Sequence, residues 1–319
     1  MSKLVDCTFI PHSTMARLSL VAVTFVCGCN LPYVDGDQFI EHTIRSGGKK
    51  RTFYVHKARQ KPRRPRPLVV VLHGGGGNGR GLRGTYGFKP FIEKGEFIAV
   101  YPNAVGGKWL PTKEEVEFLD AVIDTTFQKE NIDRKRLFVT GASRGGVMTL
   151  YYLPRTKHDV LAAGSVISGM MKFIADDFSL PRRVDFAFIN GTKDPLMPYK
   201  GGWGGMWRPK KTGPDEYKLL AVPEAANVLV KANKIKAEPT ITSLGNPDLK
   251  DGCTNEVQIW ADKKTGARVA LVTVKGGGHV VPGGRQYLPK AMIGPSCKDF
   301  HHAVVMWRFF KKARLRKTR

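Results

Sequence analysis

Ser143 stands in the pentapeptide Gly141-Ala142-Ser143-Arg144-Gly145, and its surroundings decide what its hydroxyl could do. An apolar run, residues 137–140, leads into the pentapeptide, and a helix-forming run, 144–153, follows at once. A G-x-S-x-G between a strand and a helix is a sharp turn that lifts the serine hydroxyl above the end of a sheet, with the next residue's N–H facing the same space. Gly141, Gly145 and Gly146 lack the Cβ atoms that would collide where strand and helix crowd together. The pattern alone is common, and it gains meaning when an acid, a base and a second oxyanion donor accompany it. Upstream, the buried-strand run 67–72 empties into His73-Gly74-Gly75-Gly76-Gly77-Asn78-Gly79. Such a run lets backbone N–H groups face a ligand unobstructed, as an oxyanion hole requires. A phosphate cradle would end in Gly-Lys-Ser/Thr, whereas this run ends in Asn78-Gly79-Arg80.

Downstream, the run 184–190 reads as a second buried strand, and Asp194 follows it in Gly191-Thr192-Lys193-Asp194-Pro195. The carboxyl end of such a strand is where open α/β sheets collect functional groups. Taken alone, Asp194 fits a turn former or a solvated loop aspartate better than a catalytic acid, because Asp-Pro is a turn signal. The strand-like run 268–275 ends in Gly276-Gly277-Gly278-His279, a histidine placed to swing over a serine. By itself it could instead be a metal ligand or a surface histidine, although no Cys/His spacing here suggests zinc. The order serine, aspartate, histidine, each just after a strand, is that of an α/β-hydrolase triad.

These groups need a scaffold. The chain has 319 residues, 42% of them hydrophobic, enough for one sizeable α/β core. Strand-like segments at 53–56, 68–72, 97–101, 137–140, 162–167, 184–190, 257–261 and 269–274 alternate with helical patterns at 113–130, 144–153, 217–233 and 299–312. That alternation predicts a mostly parallel central sheet with helices on both faces. No internal repeat is visible.

The apolar stretch 18–26 follows Arg17 and ends at Cys27-Gly28-Cys29. It is too short to span a bilayer and reads as the core of a signal peptide. Residues 1–28 are therefore read as a signal segment with its start at Met15, of lipoprotein type with Cys29 lipidated. A plain secretory signal and a buried first strand are the alternatives. Residues 29–38 read as a linker, 39–310 as the catalytic domain and 311–319 as a basic tail. Export leaves Cys253 and Cys297 free to pair, without showing that they approach each other. Lys and Arg number 52 against 27 Asp and Glu, a net charge of +25, concentrated at 49–66 and in the tail. Such a field draws a protein to anionic surfaces or acidic polysaccharide, or leaves it simply well solvated. No nucleic-acid-binding motif accompanies the charge.

Six segments, PLVVVLHGGGGNG, FIAVYPNAVGGKW, EVEFLDAVIDT, NIDRKRLFVTGASRGGVMTL, FINGTKDPLMPYKGG and VTVKGGGHVVPGG, resemble the polyhydroxybutyrate depolymerase and feruloyl esterase group, within carbohydrate esterase family one of the α/β-hydrolases. The resemblance covers residues 39–310. It implies Ser143 as nucleophile, Asp194 as acid and His279 as base, with oxyanion donors at Gly75 and Arg144 and no metal or cofactor. One departure stands out. His279 is followed by Val280-Val281-Pro282 where such proteins often carry a Thr-Trp-Pro run. Trp109, Trp203 and Trp207 are candidates to supply the aromatic surface instead, or to pin their own loops to the core. The implied activity is an exported serine esterase acting on feruloyl or acetyl esters of plant polysaccharide. Alternatives are a 3-hydroxybutyrate polymer depolymerase, a serine peptidase, an acyltransferase and a non-catalytic binding protein.

Overall fold

The computed structural model describes residues 36–205 and 217–313. In chain order the elements are β1 (Asp37–Ser46), β2 (Lys49–Ala58), β3 (Arg66–Leu72), α1 (Gly79–Thr85), α2 (Lys89–Glu93), β4 (Ile98–Pro102), α3 (Lys113–Lys129), β5 (Ile132–Ala142) and α4 (Arg144–Tyr152). They continue with β6 (Val160–Val166), α5 (Lys172–Asp176), β7 (Asp185–Gly191), α6 (Val222–Ala232), β8 (Thr240–Thr242), β9 (Thr254–Ala261), β10 (Arg268–Lys275), α7 (Lys290–Ile293) and α8 (His302–Lys311).

The strands form one sheet in the order β1-β2-β4-β3-β5-β6-β7-β10-β9-β8. The six from β4 to β10 run parallel, and antiparallel strands flank them on both sides. The architecture is that of an α/β-hydrolase. Period-two alternation feeds two separate cores. Leu68, Val70, Leu72, Phe186 and Phe188 point to one face, where Leu119, Val122 and Leu150 of α3 and α4 cover them. Val69, Val71, Ala187 and Ile189 point to the other, against Met306, Trp307 and Phe310 of α8. Strands buried on both faces read as continuous apolar runs, which is why these were visible in the sequence.

Three boundaries differ from expectation, and the basic stretch 49–66 is partly internal. Strand β1 begins inside the segment read as linker, and it is half exposed, so its alternation carries little hydrophobic signal. The helix expected from residue 217 begins only at Val222, because Pro223 favours the first turn and Leu219 is engaged in bridges to Met171 and Gly202. Lys311 belongs to α8 rather than to a tail, and pairs with Glu96 at 2.9 Å. Part of the basic stretch 49–66 is likewise committed internally. Arg51 bonds Glu115 at 2.9 Å beneath the surface, and Lys57 bonds Glu130 at 2.7 Å, whereas Arg63 and Arg64 are exposed. The signal segment, Met15, Cys29, Trp207 and residues 314–319 lie outside the described residues.

Candidate active site

The turn between β5 and α4 holds Ser143 at φ 54° and ψ −121°, a left-handed conformation that a side chain adopts only under constraint. The constraint is close packing. A Cβ on Gly141 would lie 2.3 Å from the Gly145 backbone, and one on Gly145 would lie 2.3 Å from the Leu72 carbonyl. The Ser143 N–H donates to the Val166 carbonyl at 3.0 Å, so it is committed to the sheet. Its carbonyl accepts from Gly146 N, Val147 N and the Ser168 hydroxyl, the last at 2.7 Å. The Asn190 side-chain amide in turn donates to the Ser168 carbonyl at 2.5 Å. Ile167, between Val166 and Ser168, has φ 47°, an uncommon conformation for a β-branched residue. The sequence reading missed Ser168 and Asn190. The available signal was a polar residue ending an otherwise apolar strand, Phe-Ala-Phe-Ile-Asn190.

The structure brings Ser143, His279 and Asp194 together, all three buried. His279 Nε2 lies 3.0 Å from Ser143 Oγ, and His279 Nδ1 lies 2.7 Å from Asp194 Oδ2. Asp194 Oδ1 accepts from the N–H groups of Leu196 and Met197 at 2.8 Å each. Asp194 is therefore both things the sequence allowed, a turn former through one oxygen and a histidine partner through the other. The His279 N–H donates to the Ile293 carbonyl at 2.5 Å, and its carbonyl accepts from the Tyr287 hydroxyl at 3.0 Å. Tyr287 is 56% exposed, and burial of its hydroxyl together with the negative charge of Asp194 raises that group above the ordinary tyrosine range. It too escaped the sequence reading, being eight residues beyond the histidine in an irregular loop.

The glycine run after β3 sits against Ser143, since a Cβ on Gly74 would lie 3.5 Å from the Ser143 Cβ. Gly76 N donates to Gly107 O at 2.8 Å, and Gly77 N to Gly74 O at 3.1 Å. His73 clamps the run from below. Its Nε2 accepts from Ala104 N at 3.1 Å, so the proton resides on Nδ1, which donates to Gly74 O at 2.8 Å. Burial lowers its pKa and keeps it neutral.

Trp109 is a correction. It is 2% exposed and packs between His73, with centroids 5.2 Å apart, and Phe118, so it pins the glycine run and offers no surface to a substrate. Trp203 is half-buried, with Lys218 Nζ 5.8 Å from its ring centre, in the loop beyond Asp194. Among the described residues, Asp251, Cys253 and Cys297 lie close enough to share a metal ion. The two sulfurs are joined in a disulfide, Cα atoms 5.8 Å apart, which removes both thiolates as ligands.

No family profile matches the chain. NocK of Nocardia uniformis subsp. tsuyamanensis, a protein bearing an esterase name, is 24% identical over 80% of this chain and 78% of its own length. Feruloyl esterase C of Emericella nidulans is 32% identical over 44% of this chain, a match that spans about half (53%) of that relative. Among solved structures, acetyl xylan esterase from Aspergillus awamori superposes with a TM-score of 0.59 at 16% identity, covering 85% of this chain and 99% of that one. The chain thus has an α/β-hydrolase fold and is similar in sequence to proteins named as esterases, feruloyl esterase C over part of its length among them.

Proposed function

We propose that this chain is a serine esterase that cleaves carboxylic esters of plant polysaccharide through an acyl-enzyme. The observation that carries the reading is the unbroken line from Ser143 Oγ to His279 Nε2 at 3.0 Å and from His279 Nδ1 to Asp194 at 2.7 Å, with the second Asp194 oxygen locked by two N–H groups. Ser143 attacks the ester carbonyl as its proton passes to His279 Nε2, and Asp194 stabilises the resulting imidazolium. Gly76 and Gly77 spend their N–H groups within the glycine region, so we assign the oxyanion donors to Gly75 N–H and to Arg144 N–H at the start of α4. Each such donor contributes about 3 kcal/mol of barrier lowering. His279 then protonates the leaving alcohol, and water attacks the acyl-enzyme by the same steps reversed. These steps need no metal or organic cofactor.

An aromatic acyl group suits the surroundings. Val105 and Leu110 are exposed on the loop bonded to Gly76, and Tyr287, Leu288 and, in α7, Met292 are exposed on the segment bonded to His279. Trp203, together with Trp207 outside the described residues, remains a tryptophan candidate for substrate contact. The Cys253–Cys297 disulfide supports export, since such bonds persist in oxidising compartments, and no described helix is long and apolar enough to cross a membrane. Lipidation of Cys29 is part of the same proposal, with mass spectrometry of the membrane fraction as its test. The catalytic test is a kinetic panel of methyl ferulate, acetylated xylo-oligosaccharide, 3-hydroxybutyrate oligomers and a peptide ester, with acyl transfer to added alcohol monitored in parallel. The expected order places the hydroxycinnamoyl ester first in kcat/KM, with loss of turnover in Ser143→Ala. Equal kcat/KM across the panel, a lead for the hydroxybutyrate oligomer, or function undiminished in Ser143→Ala would overturn the reading.

A further inference from the structure

The loop that carries Tyr287 also forms one wall of an open cleft of about 420 Å³, and the segment from Asp248 to Asp251 forms the other. The Cys253–Cys297 disulfide ties the two walls together. Four cations line the cleft, Lys250, Arg285, Lys290 and Lys298, against two carboxylates, Asp248 and Asp251. Those carboxylates are already engaged by backbone. Asp251 accepts from Cys253 N at 2.7 Å and from Lys298 N at 2.6 Å, and Asp248 accepts from Lys250 N at 3.1 Å. Among the described residues, none of the four cations forms an ion pair with a carboxylate. Elsewhere in the chain Lys57, Arg51, Lys275 and Lys311 each have an acidic partner, so unpaired cations converging on one concavity are not a uniform property of this basic surface.

We propose that this cleft is a binding subsite for a carboxylate-bearing sugar in the polysaccharide chain that carries the ester. A concavity lined by four cations against two carboxylates, both already held by backbone N–H groups, keeps an excess of positive charge that favours an anionic ligand. The position favours a substrate part over an unrelated ligand. The Tyr287-bearing wall is hydrogen-bonded to both the N–H and the carbonyl of His279, through Ile293 and Tyr287. The exposed Tyr287 ring, next in sequence to cleft residue Gln286, offers a stacking face between the base and the cations. The proposal rests on the esterase reading only in taking the acidic chain as the ester's carrier.

The test is calorimetric titration of the full-length Ser143→Ala protein with tetragalacturonate and with neutral xylotetraose. Tetragalacturonate should bind and xylotetraose should not, with affinity falling as salt rises. The double charge reversal Lys250→Glu/Lys298→Glu should weaken binding at least about tenfold, with an unchanged melting temperature. The equally charged control Arg63→Glu/Arg64→Glu, at an exposed loop outside the cleft, should bind as the parent does. Equal weakening in both double variants, binding unaffected by either, or no binding at all would overturn the proposal. So would competition by inorganic phosphate as effective as by the tetrasaccharide, or tighter lysine-dependent capture by phosphatidylglycerol vesicles. Retained tetragalacturonate binding in a parent protein that hydrolyses no ester would uphold the subsite and sink the esterase reading instead.

Discussion

Replacing Asp194 by asparagine separates its two roles, because the structure dictates which way the amide must face. Oδ1 accepts two N–H groups, from Leu196 and Met197 at 2.8 Å, while Oδ2 faces His279 Nδ1 at 2.7 Å. In Asp194→Asn the amide oxygen must keep the first position, since turning the NH2 there would leave two N–H donors, the Met197 one buried and the Leu196 one half-buried, without an acceptor. That arrangement costs about 1–3 kcal/mol for each donor. The NH2 therefore faces Nδ1, which must present a lone pair, and the imidazole proton moves to Nε2. This is the nitrogen 3.0 Å from Ser143 Oγ, and once protonated it cannot take the serine proton. The expected loss in kcat is about 10⁴-fold, equivalent to about 5.4 kcal/mol of barrier. Steady-state hydrolysis of p-nitrophenyl acetate and methyl ferulate gives the number, and circular dichroism melting verifies that the turn survives. A loss under tenfold with an unchanged melting temperature would refute the tautomer argument and leave Asp194 as a turn residue alone.

Four further outcomes are expected. Ser168→Ala removes the hydroxyl bond to the Ser143 carbonyl, so stability should drop by about 1 kcal/mol and kcat should fall with little change in KM, as stopped-flow acylation would show; a stability loss without a kcat change would make Ser168 merely structural. Trp109→Ala should cost about 3–5 kcal/mol in urea unfolding, without the selective KM increase for aromatic esters that a substrate platform would give. His302 is fully buried, and burial lowers its pKa to about 3, so the unfolded chain binds a proton that the folded one refuses. Stability should then be complete above the ordinary histidine range near 6.5 and decline toward pH 3 by about 1.4 kcal/mol per unit, a slope that His302→Phe should flatten in denaturation series. Opening the disulfide, whose cysteines are 44 residues apart, should cost about 4 kcal/mol, seen as a lower melting temperature in reductant that a Cys253→Ala/Cys297→Ala variant does not show.

What the sequence revealed follows from where the information lies. β3, β5, β7 and β10 are buried on both faces and announce themselves as apolar runs, and the three site residues at their ends stand beside glycines that the packing demands. β8 carries little signal because its three residues are exposed and pairing alone holds it, and β1 because it is only half-buried, with Phe39 and Ile44 as its core contacts. Trp109 shows the limit on side chains. A tryptophan in a glycine-rich loop has the same local sequence whether it faces solvent or, as here, the ring of His73. Ser168, Asn190 and Tyr287 act through backbone atoms of distant residues, and such contacts leave no spacing to read.

The sheet order has a consequence for how such a molecule fails. Ser143 hangs from β5 and His279 from β10, and these strands are separated by β6 and β7, a lateral distance of roughly 14 Å at the usual strand spacing. No fragment holding either residue alone contains the other's support. Turnover is therefore a cooperative property of the whole middle of the sheet. It should vanish in a single step on denaturation, making enzymatic half-life a faithful clock for the global unfolding of this chain.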